Sequence, residues 1–351
     1  MKTSIPQITI GIDLGDKKHA VCVLDNEGEI LKQRSMVNTR ESLQRLSKAY
    51  PGARIAMEVG SHSPWISRLL TERGHEVLVA NPRKMRAIYQ NDRKSDELDA
   101  MMLARLARVD PKLLYPIQHV DEQSQRDLLQ VKLRDNLVRQ RVDIISSVRF
   151  TLKSLGVQLS SPNTASFAKR ARLELEHVDK HLLAMVEPSL QVIDEITKNI
   201  RELDRRIEKL CAEHYPITRK FQQITGIGPI TALSFVLTVG DPERFAKPRD
   251  VGPYLGLVPK RDQSGNTDKQ LRISKAGDAY MRKLLVSAAQ YIIGPFGCDC
   301  DLRRHGLALA ARGGRAAKKK AVIAIARKLS VLMLALWKDA TRDYEPLKRV
   351  A

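Results

Sequence analysis

Ile8-Thr9-Ile10-Gly11-Ile12-Asp13 is a β-branched run of strand length that ends in a carboxylate, and Arg54-Ile55-Ala56-Met57-Glu58-Val59 repeats the arrangement 45 residues later. Both runs read as buried strands. A carboxylate among buried strand residues is costly unless a cation neutralises it. Asp13 and Glu58 are therefore expected to serve chemistry rather than packing.

Ala20-Val21-Cys22-Val23-Leu24-Asp25 reads as a second strand, joined to the first by the break at 14–18. The Asp25-Asn26-Glu27-Gly28 turn leads to a third strand over 29–36. Thr39 to Tyr50 has helical periodicity and stops at Pro51-Gly52. After the strand that holds Glu58, 63–73 reads as a helix and Glu76-Val77-Leu78-Val79-Ala80 as a strand. This order, three strands, helix, strand, helix, strand, is that of the RNase H-like fold, so residues 1–115 are expected to form an α/β domain of that kind.

Lys94-Ser95-Asp96-Glu97-Leu98-Asp99-Ala100 then opens a helix on which Asp96 and Asp99, three apart, share one face. Four acids could thus converge. Phosphoryl transfer needs such a cluster, because two Mg²⁺ ions held by carboxylates neutralise charge on the nucleophile, leaving oxygen and non-bridging oxygens. Asp13, Glu58, Asp96 and Asp99 are the expected metal ligands, with Mn²⁺ as a possible substitute. Glu97, Asp16 and Asp92 are left out, one facing elsewhere on the helix and two in expected loops.

Residues 116–215 are expected to form a helical coiled-coil region. Val131, Val138, Ile145 and Leu152 recur every seven residues, and Leu128, Val142, Val148 and Leu155 supply the second seam position. A second helix carries Ile193, Ile196, Ile200, Leu203, Ile207 and Leu210, and a further helix is expected before Pro188. The seam can close within one chain or between chains.

The chain has 60 Lys and Arg against 40 Asp and Glu, a formal charge of +20. Residues 216–351 hold 25 basic and 11 acidic residues, so most of the surplus lies in this last, mostly helical region. Such a surplus points to nucleic acid. Only 5% of residues are aromatic, which favours backbone recognition by Lys and Arg over base stacking. Intrinsic disorder is excluded by the 43% hydrophobic content, and a membrane span by the lack of any long apolar run. With no signal peptide pattern and four poorly spaced cysteines, a reducing cytoplasmic compartment is expected.

The Ile10–Asp13 strand, Met57-Glu58-Val59-Gly60, the Lys94–Ala100 segment and Gly226-Ile227-Gly228-Pro229 together resemble the DEDD-class transposases of the insertion-sequence 110 family, related to the Piv invertases. The resemblance covers nearly the whole chain. It implies a RuvC-like N-terminal domain, a coiled-coil middle and a C-terminal transposase domain with a serine nucleophile. Asp13, Glu58, Asp96 and Asp99 match the family's four acids. The C-terminal block matches Phe245, 254–259, 263–265 and 273–278, and within it Ser264 matches the nucleophile.

The resemblance further implies a 5′-phosphoserine intermediate on target and donor DNA, a bridge RNA as guide, and a site completed by a partner subunit in a homodimer or homotetramer. Such a protein would be prokaryotic and nucleoid-associated. From the residues alone, Asp262-Gln263-Ser264-Gly265-Asn266 reads as a polar loop in the most basic region. Ser274 is its rival as nucleophile, although capping the following helix accounts for it. Nucleic-acid contacts are expected from Lys260, Arg261, Lys269, Arg272 and Lys275, and from Lys318, Lys319 and Lys320. Two other functions use the same residues: a junction-resolving nuclease with water as nucleophile, and a non-catalytic nucleic-acid scaffold.

Overall fold

The computed structural model describes residues 7–85, 95–160, 163–264, 267–339 and 341–347. Two compact units divide it, residues 1–119 and 120–351.

The first unit is built on a five-stranded mixed sheet of order β3-β2-β1-β4-β5. Its strands are β1 (Thr9–Asp13), β2 (Lys18–Leu24), β3 (Ile30–Val37), β4 (Arg54–Glu58) and β5 (Glu76–Ala80). β1 runs antiparallel to β2 and parallel to β4, with Ile12 opposite Val21 on one side and Met57 on the other. Two-residue periodicity then sorts the side chains. Ile10, Ile12, Val21, Val23, Ile55 and Met57 point to one face, under Leu43 and Leu46 of α1 (Arg40–Ala49) and Ile66 and Leu70 of α2 (Ser63–Glu72). α1 starts where its sequence says it should, with the Thr39 side chain accepting from the Ser42 N–H.

The other face is covered by α4 (Asp96–Val109), which follows the short α3 (Pro82–Met85). Ala100 and Ala104 of α4 pack on Ala20, Cys22 and Leu24, while Leu103 and Ala107 pack on Ala56 and Ala80.

In the second unit, α5 (Glu122–Ser154) and α7 (Lys180–Glu213) pack along each other, with α6 (Phe167–Val178) between them in sequence. The apolar seam thus closes within one chain. Val131, Ile145, Val148 and Leu152 of α5 are buried, as are Ile193, Ile200 and Ile207 of α7. Arg134 pairs with Asp204 at 2.8 Å. Two expected seam positions are not covered: Val142 is 42% and Leu155 60% exposed. The further helix expected before Pro188 is α6, and Pro188 itself lies inside α7, which starts at Lys180, capped by Asp179.

The remainder of this unit is helical: α8 (Ile217–Gln222), α9 (Pro229–Val239), α10 (Val251–Tyr254), α11 (Ala279–Ile293), α12 (Asp301–Ala310) and α13 (Gly314–Lys338). α9, α11 and α13 share one core, with Phe235, Leu285 and Leu329 fully buried in it. α5 and α7 also pack against α9, so the helices of 116–215 and the C-terminal region belong to one compact unit. The exception to helix is a hairpin, β6 (Pro259–Ser264) with β7 (Thr267–Ile273).

Candidate active site

The position of the four acids follows from the path of α4. Arg54, level with Thr9 at the start of β1, donates through Nη1 to the Ala107 carbonyl at 3.0 Å. Arg108 donates to the Asn26 carbonyl at 2.9 Å, just past the end of β2 that also faces Thr9. The C-terminal turn of α4 therefore lies where β1 and β4 begin. Its first turn, with Asp96 and Asp99, lies where those strands finish in Asp13 and Glu58.

The crossing between helix and sheet is unusually close. A Cβ placed on Gly11 would stand 1.9 Å from the Ala100 carbonyl oxygen and 2.7 Å from the Ala104 nitrogen. Glycine is required there, because α4 rests directly on the β1 backbone. Asp13 is two residues beyond Gly11, an advance of roughly 6.6 Å on the same face. Asp96 is one turn, roughly 5.4 Å, back from Ala100 on the sheet-facing stripe. Both advances run in the same direction. Glu58, two residues past Ala56, joins Asp13 on the α4 side of the sheet.

Asp13, Glu58 and Asp99 are half-buried and Asp96 is exposed. Asp96 and Asp99 also sit in the first turn of α4, where the helix dipole favours carboxylates, and Ser95 caps that turn by accepting from the Leu98 N–H at 3.2 Å. Asp13 has a further polar contact within the chain. Among the described residues, no group of three or more His, Cys, Asp or Glu is assembled tightly enough to hold a metal ion. The donor chemistry nevertheless suits a hard cation: four carboxylates, carried to one end and one face of a rigid sheet.

Glu97 is turned away, exposed, with its backbone carbonyl accepting from Gln33 at 3.1 Å. Asp16 lies exposed in the loop after β1, where it pairs with His62 at 3.0 Å. Trp65 donates its indole N–H to the other nitrogen of His62 at 3.2 Å, so the proton that His62 shares with Asp16 is on Nε2.

In the second unit, the expected loop around Ser264 is strand. Asp262 stands opposite Lys269, Gln263 opposite Asp268 and Ser264 opposite Thr267, which places Ser264 in the last pair of the ladder. Residues 265–266 lie outside the described residues. The alternating polar residues of this segment lack an apolar face, which is why the sequence reads as a loop; cross-strand pairing forms the hairpin all the same.

The base of the hairpin is built by two glycines. Gly256 has φ +67°, and a Cβ on it would stand 2.2 Å from the Ala276 nitrogen. Gly277 has φ +66°, and its Cβ would stand 2.2 Å from the Tyr254 carbonyl oxygen. Arg282 locks the two loops by donating to the carbonyls of Leu255 and Gly277 at 3.2 and 3.1 Å. Phe245 meets Tyr254 edge to face, the ring centroids 5.3 Å apart, and Arg244 lies over the Tyr254 ring. These motif residues are structural supports.

Ser274 does not cap α11. Asp278 does, accepting from the Met281 N–H at 2.7 Å, while Ser274 Oγ accepts from the Ala276 N–H within the tight turn. Lys260, Arg261, Arg272 and Lys275 are exposed around the hairpin, and Lys269 lies on β7 opposite Asp262. Lys318, Lys319 and Lys320 are exposed on α13, which begins at Gly314. Gly226, in the Gly226–Pro229 turn, has φ +86° and packs against Ala288 and Tyr291, so packing accounts for it.

Comparison with known proteins decides the family. Residues 10–156 match the DEDD transposase family of IS110, described as "Transposase", and residues 218–296 match the "Transposase IS116/IS110/IS902 family". The chain belongs to the IS110-type transposases. It is 27% identical to the transposase for insertion sequence element IS1328 of Yersinia enterocolitica, over 82% of this chain and 84% of that one. It is 26% identical to the transposase for IS1111A of Coxiella burnetii, over 93% and 88%. A probable family 20 transposase of Pseudomonas aeruginosa is also 26% identical, over 81% and 83%. Both family matches include the candidate residues, Asp13 to Asp99 in the first and Ser264 in the second. No helix among the described residues is long and apolar enough to cross a membrane.

Two features were hidden in the sequence. Gly11 interrupts an otherwise β-branched strand, a signal of close backbone approach that could have located α4. Arg54, 4% exposed and bonded to both Glu76 and Ala107, orients that helix and has no such signal.

Proposed function

We propose that this IS110-type transposase is a Mg²⁺-dependent DNA recombinase whose N-terminal unit is RuvC-like. What supports the reading is that Asp13 and Glu58 end the adjacent strands β1 and β4 and that the first turn of α4, with Asp96 and Asp99, lies at that same end of the sheet. The strand order β3-β2-β1-β4-β5, with β1 antiparallel to β2 and parallel to β4, supports the RNase H-like assignment.

Asp13, Glu58, Asp96 and Asp99 would hold the metal, closing around it from their positions on β1, β4 and α4. Divalent cations there supply charge neutralisation of the scissile phosphate and the leaving oxygen. Ser264 is the nucleophile: its Oγ forms a bond to phosphorus and loses its proton, and the bond from phosphorus to the 3′ oxygen breaks. A 3′-hydroxyl is released and the 5′-phosphate stays on the serine. Attack by a 3′-hydroxyl of another strand reverses the step and rejoins DNA. Lys260, Arg261, Lys269, Arg272 and Lys275 hold backbone phosphates near the hairpin, and Lys318 to Lys320 do so along α13. A bridge RNA selects donor and target DNA, and a homodimer or homotetramer lets a partner subunit complete the site. The division into a RuvC-like part at 1–115, a helical part at 116–215 and a transposase part at 216–351 belongs to the same reading.

The test uses purified protein with its co-purifying RNA and a plasmid that carries the element's ends. In Mg²⁺, strand cleavage and an SDS-stable protein–DNA adduct are expected. Ser264→Ala should abolish both and leave DNA binding intact. A fully active Ser264→Ala protein would refute the serine mechanism in favour of water as nucleophile. Co-purifying RNA that does not map beside the gene would refute the guide.

A further inference from the structure

We infer that the pocket around Phe150, in the second unit, stacks an unpaired base of single-stranded DNA. It rests on the proposed function only in that DNA is the polyanion handled. Phe150 lies near the end of α5 and is 73% exposed, among the most exposed of the large hydrophobic side chains. It lines a pocket of about 360 Å³ together with Ser146, Arg149, Lys153, Gln158 and Leu159. None of these residues is acidic. Residues 144–173 contain Arg149, Lys153, Lys169, Arg170 and Arg172 and no Asp or Glu; Arg172 is paired with Glu187 and Asp194, and Glu174 binds Ser160, so the basic groups beside the ring itself are Arg149 and Lys153.

The chemistry of the lining fits a nucleotide part by part. A phenyl ring offers a flat face for a base, and sequence-tolerant stacking of this kind is how proteins hold single strands. Ser146, Phe150 and Lys153 are spaced four and three residues apart on α5, so the ammonium stands on the same face as the ring, within reach of a flanking phosphate. Arg149 is fixed at the wall: its guanidinium lies 5.8 Å from the Phe167 ring centroid and donates to the Leu159 carbonyl at 3.4 Å. The amide of Gln158 can donate to and accept from a base edge. A duplex hides its base faces, so a stacking pocket recognises DNA whose strands are open. Strand exchange by a transposase produces such DNA.

The experiment is fluorescence anisotropy on the full chain with a labelled oligothymidine, an oligouridine of equal length and a blunt duplex. Phe150→Ala should weaken oligothymidine binding about tenfold and leave duplex binding unchanged, and Phe150→Trp should restore it. The inference fails if Phe150→Ala binds oligothymidine like the unaltered protein, or if the ring's contribution is to oligouridine alone. It fails also if light scattering shows that Phe150→Ala alters the oligomeric mass, since the ring would then be covered by a second copy. Binding of duplex without Phe150-dependent binding of single strands overturns this inference and leaves the recombinase reading standing. Absence of binding to any DNA overturns both.

Discussion

The carboxylate end of the N-terminal sheet and the hairpin that carries Ser264 are built by opposite means. Asp13 and Glu58 end adjacent parallel strands whose next residues inward are fully buried, and α4 is pressed against them by the close contact at Gly11. β6 and β7 form a two-stranded hairpin on which Lys260, Arg261, Asp262, Gln263, Leu271 and Arg272 are exposed, anchored at its base by Gly256, Gly277 and Arg282. An isolated hairpin is marginal in water, so its anchor supplies much of its order. The proposed roles fit this contrast: two of the carboxylates proposed to hold a metal end strands of a packed sheet, and the serine proposed to attack a phosphate lies on a two-stranded hairpin.

The largest expected effects are on chemistry. Asp13→Asn should reduce strand cleavage in Mg²⁺ by on the order of 10³-fold or more, with an unchanged melting temperature, because a half-buried carboxylate at a strand end contributes little to packing. Full activity in Asp13→Asn would dismiss the carboxylate end as the chemical half. By contrast, Lys260→Glu with Arg272→Glu should weaken DNA binding uniformly across sequences and lower the salt dependence by about one phosphate contact per residue. Unchanged salt dependence would show that the stem of the hairpin does not face DNA.

The supports of the two regions should differ in their response to substitution. Gly11→Leu must push α4 off β1, and a loss of about 3 kcal/mol of stability is expected, seen in denaturant unfolding. Gly256→Ala imposes a side chain at positive φ and against the Ala276 backbone, with an expected cost of about 2 kcal/mol. Gly11→Leu should remove cleavage by displacing Asp96 and Asp99, whereas Gly256→Ala should disorder the hairpin with helical content intact by circular dichroism. Equal behaviour of the two variants would erase the contrast between a rigid and an anchored half.

The N-terminal fold was legible because its signals are local. Apolar alternation, the Asp25–Gly28 and Pro51-Gly52 turns and the Thr39 cap each fall within a few residues, and β5 spans the expected Glu76–Ala80. The four acids could be picked out as a set for the same reason, since each interrupts or opens a periodic segment. Their convergence was less legible: it depends on the direction of α4, set by Arg54 and Gly11 across more than 40 residues. In the helical middle, the heptad pattern located α5 and α7, yet Val142 and Leu155 share the apolar spacing and remain exposed. Spacing reports which face a residue occupies, while coverage depends on what lies opposite. The helix expected before Pro188 is α6, while Pro188 itself lies inside α7, because a long helix can absorb one proline when packing on either side holds it. At Ser264 the sequence offered polarity without periodicity, and only pairing between β6 and β7 distinguishes strand from loop.

The smallest effect concerns acid, and it separates the two faces of the N-terminal sheet. His19 is fully buried on β2, on the face opposite α4, and burial holds its imidazole below the usual value. In the unfolded chain the ring keeps its ordinary pKa of about 6.5. The unfolded state therefore binds more protons once the pH drops below that value, and folding stability must fall with it until the lowered native pKa is reached. Stability measured by denaturant should be full at pH 7.5 and reduced at pH 5.5. His19→Gln, which cannot titrate, should lessen that dependence, His119 being likewise held low by burial and keeping its part, while changing cleavage at pH 7.5 little, because His19 faces away from Asp13 and Glu58. If His19→Gln retains the full slope, another group governs the acid response. If it instead abolishes cleavage at neutral pH, the far face of the sheet takes part in the chemistry, and the division between support and site drawn through β1 would have to move.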